Sequence, residues 1–346
     1  MADQALVTLR LDYAGAEALI NALEQNSLSD AEVNNLLRIP GLRAMVDNVT
    51  RFIPNIGVPK FRKEIRAFVQ TKKGGEYNDY FQLSDVWRER SRIRTLITAI
   101  RADERKIVRE TLSQLKRYRP DTGPLAITAY FVAGGVSGGF AFENDPNSFY
   151  AELWRAEGDL NGVVLNMEHE AYHVMQFAAQ KRAGINPLWV SNEKMPPVER
   201  LFTGALQEGT ANYVVDPTRS TATGPDMERA RGRYRRNAEP ARVTENFALF
   251  DSVLKELREG RITWDVVNER GFSRNNDDRF YFVGYEMAKA IDRYCGRGCV
   301  SRLFEEPPVE FFRRYIALYR KHPEIRGRFS QESETFVAAY GTKPSR

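Results

Sequence analysis

Residues 160–184 read LNGVVLNMEHEAYHVMQFAAQKRAG, and we expect this stretch to form a single helix that ends near its last glycine. Within it, the motif H-E-x-x-H occupies residues 169–173. Residues four apart share a helix face, so the imidazoles of His169 and His173 can bind one metal ion. Glu170 lies beside them, where its carboxylate can take a proton from a metal-bound water. The stretch therefore predicts most of a hydrolytic zinc site on one helical turn.

The third ligand of such a site must come from elsewhere in the chain. A catalytic zinc ion usually has three protein ligands and one open position for water. The only other histidine, His322, precedes a proline near the C-terminus, and we interpret it as a surface residue at a helix end. We therefore expect a carboxylate, and Glu193, Glu199 and Glu208 all follow the motif. The alternative for the motif itself is a chance match on a surface helix.

The segment GALQEGTAN at residues 204–212 resembles the second zinc-binding helix of the gluzincins, the zinc peptidases with two histidines and one glutamate as ligands. Thermolysin-like members read Gly-Ala-x-Asn-Glu there, with an aspartate four residues after the glutamate. The resemblance implies that Glu208 is the third ligand. It places Asn212 where the family's aspartate hydrogen-bonds a zinc-bound histidine, although asparagine brings no negative charge. The separation of Glu208 from His173 is also longer than in thermolysin-like enzymes.

A predicted strand and a glycine-rich segment precede the motif helix. Residues 125–132 have the composition of a strand, and four glycines follow them before the apolar residues 140–142. Zincins line the cleft with an edge strand at this place, and an extended peptide can add to it through main-chain hydrogen bonds. The resemblance implies that role for residues 129–142. The alternative is a glycine-rich hairpin that does not contact substrate.

Two further resemblances concern the substrate. Residues 141–144, Ala-Phe-Glu-Asn, resemble the Gly-Ala-Met-Glu-Asn motif of gluzincin aminopeptidases, which would make Glu143 a ligand of the substrate amine. An ordinary loop after a strand is the favoured interpretation, because the leading glycine is absent. Tyr281-x-x-Gly284 resembles the Tyr-x-x-Gly of the same enzymes, whose tyrosine stabilises the oxyanion. This implies that Tyr281 is the donor, with Tyr285 as the second candidate. The alternative is that both tyrosines belong to the hydrophobic core.

Charge and composition are those of an ordinary globular protein. The 346 residues carry 51 lysines and arginines against 46 aspartates and glutamates, a net charge of +5. This small excess does not predict a nucleic-acid partner. We interpret the arginine-rich residues 229–236 and 88–94 as solvated helix faces, with an anionic partner as the alternative for the first. No apolar run approaches the roughly 18 residues of a membrane span, so we expect no integral membrane segment.

The cellular compartment is not decided by these residues. Cys295 and Cys299 could form a small disulfide loop or remain two thiols, since spacing alone does not distinguish them. The first residues, Met-Ala-Asp-Gln, lack the basic and apolar regions of a signal peptide. We therefore expect a cytoplasmic protein if the chain is complete as given, and a periplasmic or secreted one if it is a mature form.

These patterns predict an α+β fold that is mostly helical, zincin-like, with one small sheet preceding the metal-binding helix. A break rich in proline and glycine at residues 119–124 separates a helical N-terminal region, residues 1–120, from a zincin-like catalytic region, residues 121–346. We expect the sheet and active-site helix in residues 121–184 and helices in residues 185–346. We expect the two regions to pack as one unit.

As a whole, the chain resembles the bacterial zinc-dependent peptidases of unknown substrate within the gluzincin group. The resemblance implies one Zn2+ per chain on His169, His173 and Glu208, with Glu170 as general base and acid and a peptide or protein as substrate. Members of such families are commonly exported, which favours a periplasmic or secreted form. The alternatives are a zincin-fold binding protein that no longer turns over, and a zinc hydrolase of a non-peptide amide or ester. The oligomeric state stays open.

Overall fold

The computed structural model describes residues 7–53, 55–72, 79–142, 144–185 and 195–341. Helices dominate this part of the chain, and one four-stranded sheet accompanies them. The strands are β1 (Val7–Asp12), β2 (Leu125–Val132), β3 (Gly139–Phe142) and β4 (Asp145–Glu152). The helices are α1 (Ala14–Glu24), α2 (Asp30–Leu36), α3 (Pro40–Phe52), α4 (Val58–Thr71), α5 (Leu83–Ala102), α6 (Glu104–Lys116), α7 (Leu160–Arg182), α8 (Pro197–Val214), α9 (Pro225–Ala238), α10 (Pro240–Arg258), α11 (Trp264–Val267), α12 (Arg279–Cys295), α13 (Arg297–Ser301), α14 (Val309–Lys321) and α15 (Gln331–Ala339).

The sheet has the strand order β1-β2-β4-β3. β1 is parallel to β2 and β2 is parallel to β4, whereas β3 is antiparallel to β4 and lies at one edge. The predicted strand at Leu125–Val132 is confirmed as β2. The sheet is nevertheless larger than predicted from the residues before the motif helix, because β1 joins it from the N-terminal end of the described chain.

One compact unit of the chain contains the sheet. This unit comprises residues 1–113, 124–174 and 222–228. Helices α1 and α3 both pack against β2. Gly15 on α1 permits close approach of α3, because a β-carbon at Gly15 would lie 3.0 Å from the backbone nitrogen of Leu42 on α3. Tyr13 stacks on Phe131 with 5.2 Å between ring centroids. Burial of each such side chain contributes roughly 1.5–3 kcal/mol to stability.

A second compact unit is helical. It comprises residues 114–123, 175–221 and 229–346. Phe312 lies at the centre of its aromatic core, with ring centroids 4.4 Å from Phe202, 5.5 Å from Phe250 and 5.7 Å from Phe329. In this unit Cys295 and Cys299 form a disulfide across the α12–α13 turn, with 5.8 Å between their Cα atoms, which decides between the two alternatives left by their spacing.

Apolar residues recur at helical spacing from Ser91 to Tyr118, but this stretch contains two helices, not one. α5 ends at Ala102 and α6 begins at Glu104. Asp103 between them has φ −108° and ψ 16°, which interrupts the helix although the apolar spacing continues. None of the described helices is both long enough and apolar enough to cross a membrane.

Candidate metal and active site

The H-E-x-x-H residues lie in the middle of α7, as predicted. The helix begins beside the buried carboxylate of Asp159, which accepts from the backbone N–H groups of Asn161 at 3.0 Å and Gly162 at 3.1 Å. The same carboxylate accepts from Asp226 at 2.9 Å and Met227 at 3.1 Å, at the start of α9. A carboxylate satisfies the otherwise unpaired N–H groups of a helix start. Asp159 therefore fixes the beginning of both helices.

The two histidines face each other across one helical turn. The Nε2 atoms of His169 and His173 lie 3.0 Å apart, and their rings are nearly perpendicular. Glu208 supplies a carboxylate oxygen, and the ligand atoms of the three residues all lie within 4.8 Å of one another. Two ligands of a tetrahedral zinc ion are roughly 3.3 Å apart at ordinary bond lengths. Two imidazoles and a carboxylate at these separations fit one zinc ion.

A buried amide fixes the position of α8 beside α7. Gln176 lies one turn after His173 and donates to the backbone carbonyl of Gln207 at 3.0 Å and to the hydroxyl of Thr210 at 2.9 Å. These two residues flank Glu208 on α8. Gln176 was not among the residues singled out by motif, although it shares the histidine face of the helix, which is the signal that could have identified it.

Helix α12 crosses α8 at a pair of glycines. The Cα of Gly209 lies so close to Gly284 that neither position has room for a β-carbon. Gly209 follows Glu208 directly, and Gly284 is the glycine of the predicted Tyr281-x-x-Gly284 motif. The close crossing therefore brings the first turns of α12, with Tyr281, to the part of α8 that carries Glu208.

The two tyrosine candidates differ in their surroundings. Tyr281 is half-buried, with its ring 5.9 Å from that of Phe272. Tyr285 is buried, and its hydroxyl donates to the carboxylate of Asp216 at 2.7 Å. Burial, reinforced by the charge of Asp216, raises the pKa of Tyr285 above its ordinary range. The hydroxyl of Tyr285 is thus already engaged within the helical core.

Glu170 is buried and lies against the edge strand β3. A β-carbon added at Gly139 would collide with its carboxylate, so the carboxylate can lie where it does because glycine begins β3. Residues 129–132, the first part of the segment 129–142, lie in β2. This strand is paired on both sides and therefore cannot be an edge. The prediction of an edge strand over that first part is wrong. Within the segment it is β3 that lies at an edge of the sheet, and β1 forms the opposite edge.

A buried carboxylate shapes the glycine-rich loop before β3. Glu152 accepts from the backbone N–H groups of Ser137 at 3.0 Å and Gly138 at 2.7 Å. Burial raises the pKa of the Glu152 carboxyl, and these hydrogen bonds oppose that shift. The carbonyl of Gly138 also accepts from the amide of Asn166 on α7 at 3.2 Å. The loop is therefore attached both to the sheet and to the motif helix.

Among the described residues, the other carboxylate candidate does not join the ligand group. Glu199 lies in the first turn of α8, which places it roughly 13 Å along the helix from Glu208. Glu193 and Glu143 lie outside the described residues. The backbone carbonyl of Asn212 accepts from the Tyr234 hydroxyl at 3.0 Å, and a role of its side chain toward a histidine stays a prediction.

The arginine-rich segments have different surroundings. Within residues 88–94 of α5, the expected solvated face is seen at Arg88 and Arg92, whose exposed side chains both contact Glu89, Arg92 at 2.9 Å. Residues 229–236 lie on α9, but the interpretation as a solvated face is wrong for Arg231. This side chain is buried and donates to the carbonyl of Pro217 at 3.1 Å. Helical periodicity turns every third or fourth residue of such a run inward.

Fold and site together define a mostly helical α+β protein with a group of two histidines and one glutamate that could hold a metal ion. Over residues 33–324 the chain matches the family described as "Putative zinc dependent peptidase (DUF5700)", and it belongs to that family. No curated protein and no solved structure matches it.

Proposed function

We propose that this protein is a zinc-dependent peptidase of the gluzincin type, with a zincin-like arrangement of edge strand and motif helix. One observation carries the proposal: the ligand atoms of His169, His173 and Glu208 lie within 4.8 Å of one another. Glu170 supports it, because this carboxylate is buried on the same helical turn. The family description, which names a zinc-dependent peptidase, points in the same direction.

The proposed reaction needs little from the chain beyond these groups. A zinc ion held by His169, His173 and Glu208 would supply a Lewis acid for the scissile carbonyl and lower the pKa of water. Glu170 takes the proton of the attacking water and delivers it to the leaving amine. Gly139 leaves the space in which the carboxylate of Glu170 lies, and we take this position to provide the reach that proton transfer requires.

We assign oxyanion stabilisation to Tyr281 in preference to Tyr285, because the hydroxyl of Tyr285 is engaged by Asp216. We further propose that an extended peptide adds to β3, whose position at the sheet edge and beside Glu170 supports this role. Such binding requires no free terminus of the substrate. The proposed activity is therefore internal cleavage of peptides.

The test is hydrolysis of a mixture of N-acetylated and free-amine peptides by the zinc-loaded protein, followed by mass spectrometry. We expect internal cleavage of both sets, and loss of cleavage in Glu170→Gln by several powers of ten because proton transfer is removed. Strict release of single N-terminal residues from free-amine peptides alone would contradict internal cleavage. Absence of hydrolysis by the zinc-loaded wild type would contradict the peptidase assignment.

A further inference from the structure

The disulfide at the α12–α13 turn joins one exposed cysteine to one buried cysteine. Cys295 is exposed at the end of α12, whereas Cys299 on α13 is only 7% exposed. A thiolate that attacks a disulfide needs access to the sulfur with which it forms a bond. A dissolved thiol can therefore reach this disulfide at Cys295 more readily than at Cys299.

Other contacts hold the same turn together. The backbone N–H of Gly296 donates to the carbonyl of Asp292 at 2.8 Å, and that of Cys299 donates to the carbonyl of Gly296 at 2.9 Å. Directly beyond the turn, Val300 and Leu303 are buried in the helical unit. The disulfide itself closes a loop with a sequence separation of only 4, and a short loop restricts the unfolded chain less than a long one. Opening of the bond should therefore leave the fold of the turn in place.

An arginine contacts the buried sulfur of this disulfide. The guanidinium of Arg302, directly after α13, donates to Sγ of Cys299 at 3.4 Å. Within the part of the chain that the structure describes, this guanidinium forms no ion pair with a carboxylate. A disulfide sulfur is a weak acceptor, but a thiolate carries a full charge and accepts strongly from a cationic donor. The contact therefore favours Cys299 as the sulfur that leaves, because a stabilised thiolate departs faster.

We propose that this disulfide is a thiol–disulfide exchange site for a low-molecular-weight thiol. The thiolate sulfur of that thiol forms a bond to Sγ of Cys295 while the bond between the two cysteines breaks. The electron pair of the broken bond remains on Cys299, whose thiolate accepts from Arg302. A second thiol attacks the mixed disulfide and releases Cys295 as a thiolate. The two cysteines thereby gain two electrons, and two thiols become one disulfide. This inference is independent of the proposed peptidase function.

The experiment treats the oxidised full-length protein with reduced glutathione in the absence of denaturant. Samples are quenched with an alkylating agent over time and mapped by peptide mass spectrometry. We expect the bond to open in the folded protein, with glutathione attached to Cys295 and an alkylated thiol at Cys299, while circular dichroism of the helices stays constant. Glutathione attached to Cys299 instead would overturn the proposal. Opening no faster than global unfolding in the same buffer would overturn it as well.

Matched variants test the contact of Arg302 with the leaving sulfur. In Arg302→Gln we expect opening by glutathione to be about 10-fold slower, the lower end of the range for a hydrogen bond to a charged group, since this side chain is exposed. Arg302→Lys keeps the charge and recovers part of the rate. Arg235→Gln, which removes the same charge from an exposed position on α9, opens at the wild-type rate. Wild-type opening in Arg302→Gln, or equal slowing in Arg235→Gln, would overturn the proposal.

Discussion

The amide nitrogen of Gln176 lies 2.9 Å from the hydroxyl oxygen of Thr210, and this buried contact sets the distance between the two helices that carry the ligand group. The hydroxyl of Thr210 in turn donates to the carbonyl of Leu206 at 2.6 Å. Since His173 lies one turn before Gln176 and Glu208 lies two residues before Thr210, a shift at this contact would move a ligand.

Two glutamines on α7 provide a matched comparison. Gln176→Leu loses two buried hydrogen bonds, so we expect the free energy of unfolding to fall by about 1–3 kcal/mol and zinc affinity to fall with it. Gln180, one turn later, is equally buried, but its amide has no hydrogen-bond partner among the described residues. Gln180→Leu should leave stability unchanged or raise it by about 1 kcal/mol. Urea unfolding and zinc titration measure both; equal losses in the two variants would contradict the role given to Gln176.

Substitution of Gly139 can displace Glu170, the proposed general base, without changing Glu170 itself. Alanine at this position would collide with the far end of the Glu170 side chain, which can move while the backbone stays in place. We expect Gly139→Ala to fold and retain zinc, with kcat lowered roughly 100-fold, as for a displacement of about 1 Å. Wild-type kcat in this variant would show that Glu170 does not need the observed position.

Glu208 and Glu170 should respond differently to the same substitution. Glu208→Gln removes a ligand, so the protein should release zinc to a chelator at lower concentrations than the wild type. Glu170→Gln removes proton transfer and should retain zinc as the wild type does, while kcat falls. Dialysis against a chelator series, followed by metal analysis, measures the difference. Equal loss of zinc in both variants would show that the two roles are assigned wrongly.

Glu64 predicts a pH dependence of stability. Its side chain is 4% exposed, and burial, with a contribution from Asp79, raises its pKa from 4.5 to about 7, although Lys60 opposes the shift. Because the folded state binds this proton more tightly, its stabilising contribution is complete below pH 4.5 and is lost as the pH rises through 7. Glu64→Gln should therefore be more stable than the wild type at pH 8, by on the order of 2–3 kcal/mol.

The control for that measurement is Glu17→Gln, since Glu17 is an exposed partner of Arg101. Its unfolding free energy should follow that of the wild type from pH 4 to pH 9. A stability difference for Glu64→Gln that grows toward low pH would have the wrong sign and would contradict the account of Glu64.

The sequence predicts more of the candidate site than of the sheet. The pairing of the two histidines follows from helix periodicity, because residues four apart share a face, and Glu170 was chosen from the H-E-x-x-H motif. Glu208 was identified through the resemblance to the gluzincins, since no local rule relates Glu208 to histidines that far away in the sequence. Asp159 was missed, although an aspartate just before an apolar helical run is an N-cap signal that could have identified it.

The strands show where sequence patterns cease to predict the structure. β2 has the composition of a strand and is confirmed. β1 alternates buried and exposed residues, but is only six residues long. β4 begins with Asp-Pro-Asn and then buries five consecutive residues, so it has no alternation to detect. A strand that is covered on both faces is recognised by its neighbours in the sheet, which the sequence of that segment does not contain.

The central claim is one zinc ion on His169, His173 and Glu208. The most direct test is an anomalous difference map at the zinc absorption edge from crystals of zinc-replete protein. We predict one peak per chain, roughly 2.0–2.2 Å from both Nε2 atoms and from a carboxylate oxygen of Glu208. A map without a peak at these residues, with Glu208 turned away from both imidazoles, would contradict the account.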